Sequence, residues 1–398
     1  MLHRTLTETL LRRARQYPVV TLTGPRQSGK TTLVRSAFPE HAYVSLEDPE
    51  LRSYATSDPR GFLHQFSGPV VLDEAQRVPD LFSYIQILAD EENVPGRFVL
   101  SGSQNFLLLR SISQSLAGRT AVLHLLPFSL AELRQRAPFP SEKLGRELPE
   151  TEPTEGHGML ETLARGFYPR IYDRGLEPEV WLADYVRTYV ERDVREIVNV
   201  TDLETFGRFL RLCAGRTGQL LNLTSLASDC GITHTTARRW LSILESSFLI
   251  LLLRPHHQNF GKRLIKSPKL YFLDTGLLCY LLRIRSPEEL RFHASRGAIF
   301  ESFVVSELTK GALHQGREPD LYFWRDATGH EVDVLLDQGA TLVPLEIKAG
   351  ETVTNNFFDG LKFFRNLAGD PNGPAALVYA GDRTFEQFGV KVYSWQVL

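Results

Sequence analysis

Over the first third of the chain, short runs of β-branched and aliphatic residues alternate with stretches of helical spacing. The runs are Val19-Val20-Thr21-Leu22, Tyr43-Val44-Ser45-Leu46, Val70-Val71-Leu72, Phe98-Val99-Leu100 and Ala121-Val122-Leu123. Strands separated by helices predict a parallel α/β sheet for residues 1–136. Residues 137–160 carry APFPSEKLGRELPETEPTEGHG, rich in Pro, Glu, Gly and Thr and nearly free of large apolar side chains, and predict a mobile linker or insertion. From 161 to 290 the pattern turns mostly helical, as in WLADYVRTYVERDVREIV, where apolar residues recur at helical spacing on a charged background. Residues 291–398 return to mixed α/β, with strands expected at Leu321-Tyr322-Phe323-Trp324, Val332-Asp333-Val334-Leu335 and Val343-Pro344-Leu345-Glu346-Ile347. No internal repeat is visible.

The longest apolar run, Phe248 to Leu253, is far too short to cross a bilayer. The start, MLHRTLTETLLRRARQYP, interleaves basic and apolar residues and reads as an amphipathic helix, not a secretion signal. At 398 residues the chain exceeds what one core usually serves, and its 42% hydrophobic and 23% charged content is that of a globular protein. The net charge of -2 excludes a uniformly basic protein but not a local basic patch. Cys213, Cys230 and Cys279 lie far apart, with neither metal-ligand spacing nor a disulfide framework, so a reducing cytoplasm is the expected compartment and no membrane is expected as a partner.

The segment Gly24-Pro25-Arg26-Gln27-Ser28-Gly29-Lys30-Thr31-Thr32 follows a predicted strand and opens a predicted helix. It fits G-x-x-x-x-G-K-[ST], the spacing of a loop whose backbone N–H groups surround phosphates. Lys30 would meet the β- and γ-phosphates of ATP, and the Thr31 hydroxyl would meet Mg²⁺. Gly68-Pro69-Val70-Val71-Leu72-Asp73-Glu74 is a buried-strand run ending in two carboxylates. Asp73 is expected in the Mg²⁺ shell, and Glu74 as the base that polarises the attacking water. Ser103, in Arg97-Phe98-Val99-Leu100-Ser101-Gly102-Ser103-Gln104-Asn105, either senses the γ-phosphate, aligns the water or caps a turn.

These pieces, in this order, resemble the AAA+ branch of the phosphate-loop ATPases. That resemblance implies that an arginine just before the fifth strand reaches into a neighbouring subunit's ATP. Arg119, in SLAGR, has that place, with Arg110 as the alternative. A homo-oligomer, in one form a ring, is implied. GPRQSGKTT, VVLDEAQ, LSGSQNF, SLAGR and LLPFSLAEL further resemble a prokaryotic family of AAA-type ATPases whose C-terminal domain has no assigned function. Arg165-Gly166-Phe167-Tyr168-Pro169 stands where that family suggests a Gly-Gly-Tyr-Pro turn.

Residues 223–244 have helix-turn-helix texture: a short helix, Gly231 in the turn, a Thr-rich start to the second helix and apolar residues at helical spacing. Phe248–Leu253 and Lys269–Leu273 would be strands of a wing, joined through Arg254, Lys262, Arg263, Lys266 and Lys269. On DNA, Thr233, Thr235, Thr236, Arg238 and Arg239 would face the groove or phosphates. Winged helices also dock proteins, so a protein partner is the alternative.

Further on, Glu346 and Lys348 are two apart on one predicted strand and share a face, and a hairpin would bring Asp333 beside them. Two carboxylates with a lysine suit metal-assisted phosphodiester cleavage: Asp333 and Glu346 would hold Mg²⁺, and Lys348 would position water. The helix IFESFVVSELTK offers Glu301 as a further carboxylate. This arrangement resembles the PD-(D/E)XK, restriction-endonuclease-like superfamily. The expected architecture is α/β: an AAA+ parallel sheet, a central helical and winged-helix region, and a C-terminal restriction-endonuclease-like domain. The expected function is a Mg²⁺-dependent ATPase coupled to DNA binding or cleavage. The alternatives are an ATP-driven switch that binds a protein, with an inactive nuclease-like domain, and a DNA-binding regulator.

Overall fold

The computed structural model describes residues 2–103, 115–149, 157–190, 203–256, 266–339 and 341–398. Gln104, Asn105, Arg110, Lys262 and Arg263 lie outside them. The chain divides into two compact units. Unit 1 is Met1–Phe128 with Ser246–Phe248 and Leu313–Arg317, and unit 2 is Ser129–Glu245, Leu249–Ala312 and Glu318–Leu398.

Unit 1 is built on five parallel strands, β1 (Val19–Thr23), β2 (Ala42–Ser45), β3 (Val70–Asp73), β4 (Phe98–Gly102) and β5 (Thr120–His124), in the order β2-β3-β4-β1-β5. Successive side chains of a strand leave opposite faces, and the apolar runs fill both. Val19, Val70, Leu72, Phe98 and Leu100 pack with Ala55, Phe62, Leu81, Phe82 and Ile85. Val20, Leu22, Val71, Val99 and Leu123 pack on the other side with Leu6, Leu10, Leu33 and Val34. The second group draws on the amphipathic helix Leu6–Ala14 and on the helix Lys30–Ala37 that follows the glycine loop. Burial on both faces is why these strands read as continuous apolar runs rather than alternating ones.

His124 ends β5 against Phe248, with ring centroids 5.1 Å apart and its Nδ1 buried without a hydrogen-bond partner. Burial pushes the imidazole down from 6.5 to about 4. Between those values the unfolded chain binds a proton that the folded chain refuses, so this contribution to stability is whole above pH 6.5 and fades as pH falls towards 4. Thermal unfolding at pH 7.5 and pH 5 checks this: His124→Asn should lose less of its midpoint on acidification than the wild type does.

Unit 2 holds an eight-stranded sheet of β6 (Ile250–Pro255), β7 (Lys269–Phe272), β8 (Leu321–Arg325), β9 (Glu331–Asp337), β10 (Leu342–Lys348), β11 (Ala376–Tyr379), β12 (Phe385–Gln387) and β13 (Val390–Ser394). Their order is β12-β13-β11-β10-β9-β8-β6-β7. The two strands expected to form a wing do pair antiparallel, but β6 also pairs with β8, so both belong to the C-terminal sheet. One hydrogen-bonded ladder thus runs across residue 290.

The expected linker is also corrected over residues 137–149. Leu144 is 1% exposed, the Gly145 N–H donates to Tyr393 Oη at 2.9 Å, and that hydroxyl donates to the Glu147 carbonyl at 2.7 Å. One inserted leucine and two satisfied backbone groups are enough to lay a polar segment on the sheet. The helix-turn-helix segment forms two helices, Leu223–Cys230 and His234–Ser246, joined at Gly231, whose φ of 72° is left-handed. Trp240 stands edge-on to Phe206 and Phe209 of the helix Leu203–Ala214. Such pairs contribute about 0.5–1.5 kcal/mol each beyond burial and hold these two helices together. Among the described residues the three cysteines are buried and form no disulfide, and no helix is long and apolar enough to cross a membrane.

Candidate functional site

The loop of residues 24–29 leaves the C-terminal end of β1, where parallel sheets present their ligands. Gly24 is required by space: a Cβ there would lie 2.1 Å from the Leu125 carbonyl oxygen. Gly29, at φ 96°, caps the helix Lys30–Ala37 in a conformation that costs other residues energy. Ser28 and Lys30 are buried, Arg26, Gln27 and Thr32 are the loop's more open positions, and Pro25 stands with its carbonyl inward. Lys30 Nζ donates to the carbonyls of Gly24 and Pro25 at 3.0 and 2.8 Å, within the concavity that phosphate oxygens would enter.

Beneath the loop sits Asp73, 4% exposed at the end of β3. Its Oδ2 accepts from Thr31 Oγ1 and from Tyr43 Oη, both at 2.8 Å, and its Oδ1 accepts from Ser101 Oγ at 2.5 Å. Ser101 is in position because β4 lies next to β3 with Asp73 paired to it. Burial, then the Asp73 carboxylate, holds the Tyr43 phenol protonated far above its usual range. A hydroxyl and a carboxylate 2.8 Å apart, both hard oxygen donors, fit Mg²⁺: Thr31 and Asp73 would hold it, and it would neutralise charge on the β- and γ-phosphates.

Glu74 has φ 54° and ψ 41°, left-handed values rare for a side chain of its size, and such strain clusters at functional sites. Ser103 Oγ donates to Glu74 Oε2 at 3.1 Å, and Gln76 Nε2 donates to the same oxygen at 2.5 Å. Arg119 stands just before β5, the parallel neighbour of β1, and so at the opposite end of the strands from the loop. The strand between them spans about 15 Å at roughly 3.3 Å per residue, beyond an arginine's reach. Arg119 forms a two-pronged ion pair with Asp90, Nε to Oδ1 at 2.5 Å and Nη2 to Oδ2 at 2.9 Å.

In unit 2, β9 and β10 are antiparallel, with Val343 opposite Leu336 and Leu345 opposite Val334, which brings Asp333 beside Glu346. Lys348 Nζ is 2.5 Å from Glu346 Oε2 and 3.5 Å from Asp333 Oδ2, and Asp333 also accepts the Ile347 N–H at 2.8 Å. Glu301, on the helix Arg296–Leu313, accepts from Lys269 Nζ at 3.1 Å and from Tyr271 Oη at 2.5 Å. Lys269 also pairs with Glu331. Burial, then repulsion from Asp333, pushes Glu301 up to about 7. Burial, then Asp333, likewise raises Glu346 well above its usual range. Burial would raise Asp333 as well, but Lys348 and Lys269 outweigh it and hold it low. Thus each ammonium bridges two carboxylates. Among the described residues, no group of three or more His, Cys, Asp or Glu side chains is arranged to hold a metal ion.

On the second helix of the helix-turn-helix, Thr233, Thr235, Arg238 and Arg239 are exposed and Thr236 is half-buried. The Thr233 hydroxyl caps the helix by accepting the Thr236 N–H at 3.1 Å. A cavity of about 1540 Å³ in unit 2, lined by Met159, Arg165, Leu182, Arg211, Tyr280 and Trp395 among others, contains none of the expected site residues.

Sequence reasoning missed Tyr43, Ser101, Gln76, Lys269 and Tyr271. The last two carried a signal: in Lys269-Leu270-Tyr271-Phe272, polar groups two apart interrupt an apolar strand and so share one face.

The parallel sheet, glycine loop and Asp73–Thr31 contact define an AAA-type phosphate-loop ATPase, and the family described as "AAA domain" matches residues 16–134. The chain belongs to the family that includes the uncharacterized proteins Rv2008c of Mycobacterium tuberculosis and Mb2031c of Mycobacterium bovis. It is 34% identical to each over 347 residues, 86% of this chain and 73% of theirs. Residues 157–288 and 296–398 match two domains of unknown function, DUF8612 and DUF4143. Uncharacterized protein MJ1544 of Methanocaldococcus jannaschii is 22% identical over 331 residues, 79% of this chain and 70% of that one. Among solved structures, the Walker-type ATPase PABY2304 of Pyrococcus abyssi is similar with a TM-score of 0.44 and 16% identity, covering 70% of this chain and 94% of that chain.

Proposed function

We propose that unit 1 hydrolyses Mg²⁺-bound ATP and that the hydrolysis governs how unit 2 engages DNA. Lys30 holds the β- and γ-phosphates, Thr31 and Asp73 hold Mg²⁺, and Glu74 takes a proton from the attacking water. Ser103 steadies the Glu74 carboxylate. The observation that carries this reading is the buried Asp73 carboxylate tied to Thr31 at the foot of the loop. Arg119 completes the site of a neighbouring copy in a homo-oligomer, which accords with its place a strand's length from its own loop. The chain then works in the cytoplasm, away from membranes.

For DNA, support comes from Thr233, Thr235, Arg238 and Arg239, which lie exposed at the start of a capped helix behind a tight turn. Thr236 would join them at the phosphates. Steady-state ATPase with and without duplex DNA tests the coupling. DNA should stimulate the wild type, and Arg238→Ala/Arg239→Ala should lose that stimulation while keeping the basal rate. Equal stimulation of both proteins would sink the DNA assignment.

Cleavage at Asp333, Glu346 and Lys348, with Glu301 nearby, is the further possibility that unit 2 offers. One observation favours a second reading, in which this nuclease-like domain binds a partner, DNA or protein, and does not cut. Lys269 and Lys348 already neutralise the carboxylates that a Mg²⁺ ion would need.

A further inference from the structure

Gln76 lies in the short turn Ala75–Arg77, two residues beyond Glu74, and is only 5% exposed. Its side-chain amide meets Glu74 Oε2 at 2.5 Å, the oxygen that Ser103 Oγ also approaches at 3.1 Å. An ionised carboxylate only accepts, so the amide nitrogen faces Glu74 and the amide oxygen faces away. That oxygen, Gln76 Oε1, is buried and has no hydrogen-bond partner among the described residues. Both donors meet one oxygen, so Gln76 and Ser103 together set the orientation of the Glu74 carboxylate.

We propose that Gln76 is a positioning residue for ATP hydrolysis, holding the Glu74 carboxylate through Nε2 in the orientation that takes a proton from the attacking water. The water loses a proton to the Glu74 carboxylate. Its oxygen forms a bond to the γ-phosphorus as the bond from that phosphorus to the bridging oxygen breaks. ADP leaves with that electron pair. The proposal rests on the ATPase reading and on Glu74 as base.

The test uses the full chain and three variants: Gln76→Met, which keeps length and bulk but removes donor and acceptor, Glu74→Gln, and the two combined. Affinity for a fluorescent ATP analogue, melting temperature and phosphate release are measured on each. Gln76→Met should bind the analogue as the wild type does and turn over more slowly by on the order of tenfold to a hundredfold, the scale of a small misplacement of reacting groups. Added to Glu74→Gln it should slow nothing further, because residues that act as a unit are not additive. Wild-type turnover in Gln76→Met, or additive losses in the double variant, would overturn the proposal. Loss of analogue binding and melting temperature together would assign Gln76 a structural role and overturn it too. A wild-type protein that binds the analogue but releases no phosphate would overturn the ATPase reading itself.

Discussion

Lys30→Ala is expected to lose ATP hydrolysis by on the order of a hundredfold to a thousandfold, the scale seen when one preorganised donor to a developing charge is removed. Lys30 is 6% exposed and donates to two loop carbonyls, so its ammonium is held inside the loop before any phosphate arrives. Removing it takes away the one positive side chain that the loop turns inward. Affinity should fall as well, since the same charge meets ground-state phosphates. Binding of a fluorescent ATP analogue and phosphate release, measured side by side, check both effects. Retained turnover would place the phosphates elsewhere.

Glu74→Gln is expected to do the opposite to binding. Asp73, Thr31 and Lys30 stay as they are, so ATP still binds. Hydrolysis should drop by on the order of a hundredfold or more, the usual contribution of a positioned general base. Arg119→Ala should give the same pairing of retained binding and lost turnover for a different reason. Mixing the two variants should restore part of the activity, because some interfaces then join an intact Arg119 to an intact Glu74. Glu74→Gln at the wild-type rate would remove Glu74 from the reaction, and mixtures with no recovery would remove Arg119 from the neighbour's site.

The nucleotide site was legible because its parts are local. Gly24, Gly29, Lys30 and Thr31 sit within one loop, and Asp73 and Glu74 end a strand whose apolar run is unmistakable. Pairing of Asp333 with Glu346 was legible for a similar reason: two short strands joined by a tight turn have few registers available. Where pairing is long-range, the reading failed. Nothing near Ile250 announces Tyr322 as a neighbour of Arg254, so two strands of the large sheet looked like a wing. Lys269 was read as part of that basic wing, although it bridges Glu301 and Glu331 and changes the charge of the whole cluster. Residues 137–149 misled in another way: their composition is that of a linker, and a single buried leucine decides where they lie. Gln76 ends VVLDEAQ with no role that the sequence spells out, and its hydrogen bond to Glu74 Oε2 is what brings it to notice.

The central claim is that the loop, Thr31 and Asp73 make a Mg²⁺-dependent ATP-hydrolysing site. Phosphate release from ATP by the full chain, measured with Mg²⁺ and then with excess EDTA, tests it most directly when Asp73→Asn is run beside the wild type. The account predicts release by the wild type with Mg²⁺, none with EDTA, and none from Asp73→Asn in either condition. Release that persists in EDTA, or that Asp73→Asn retains with Mg²⁺, would contradict it.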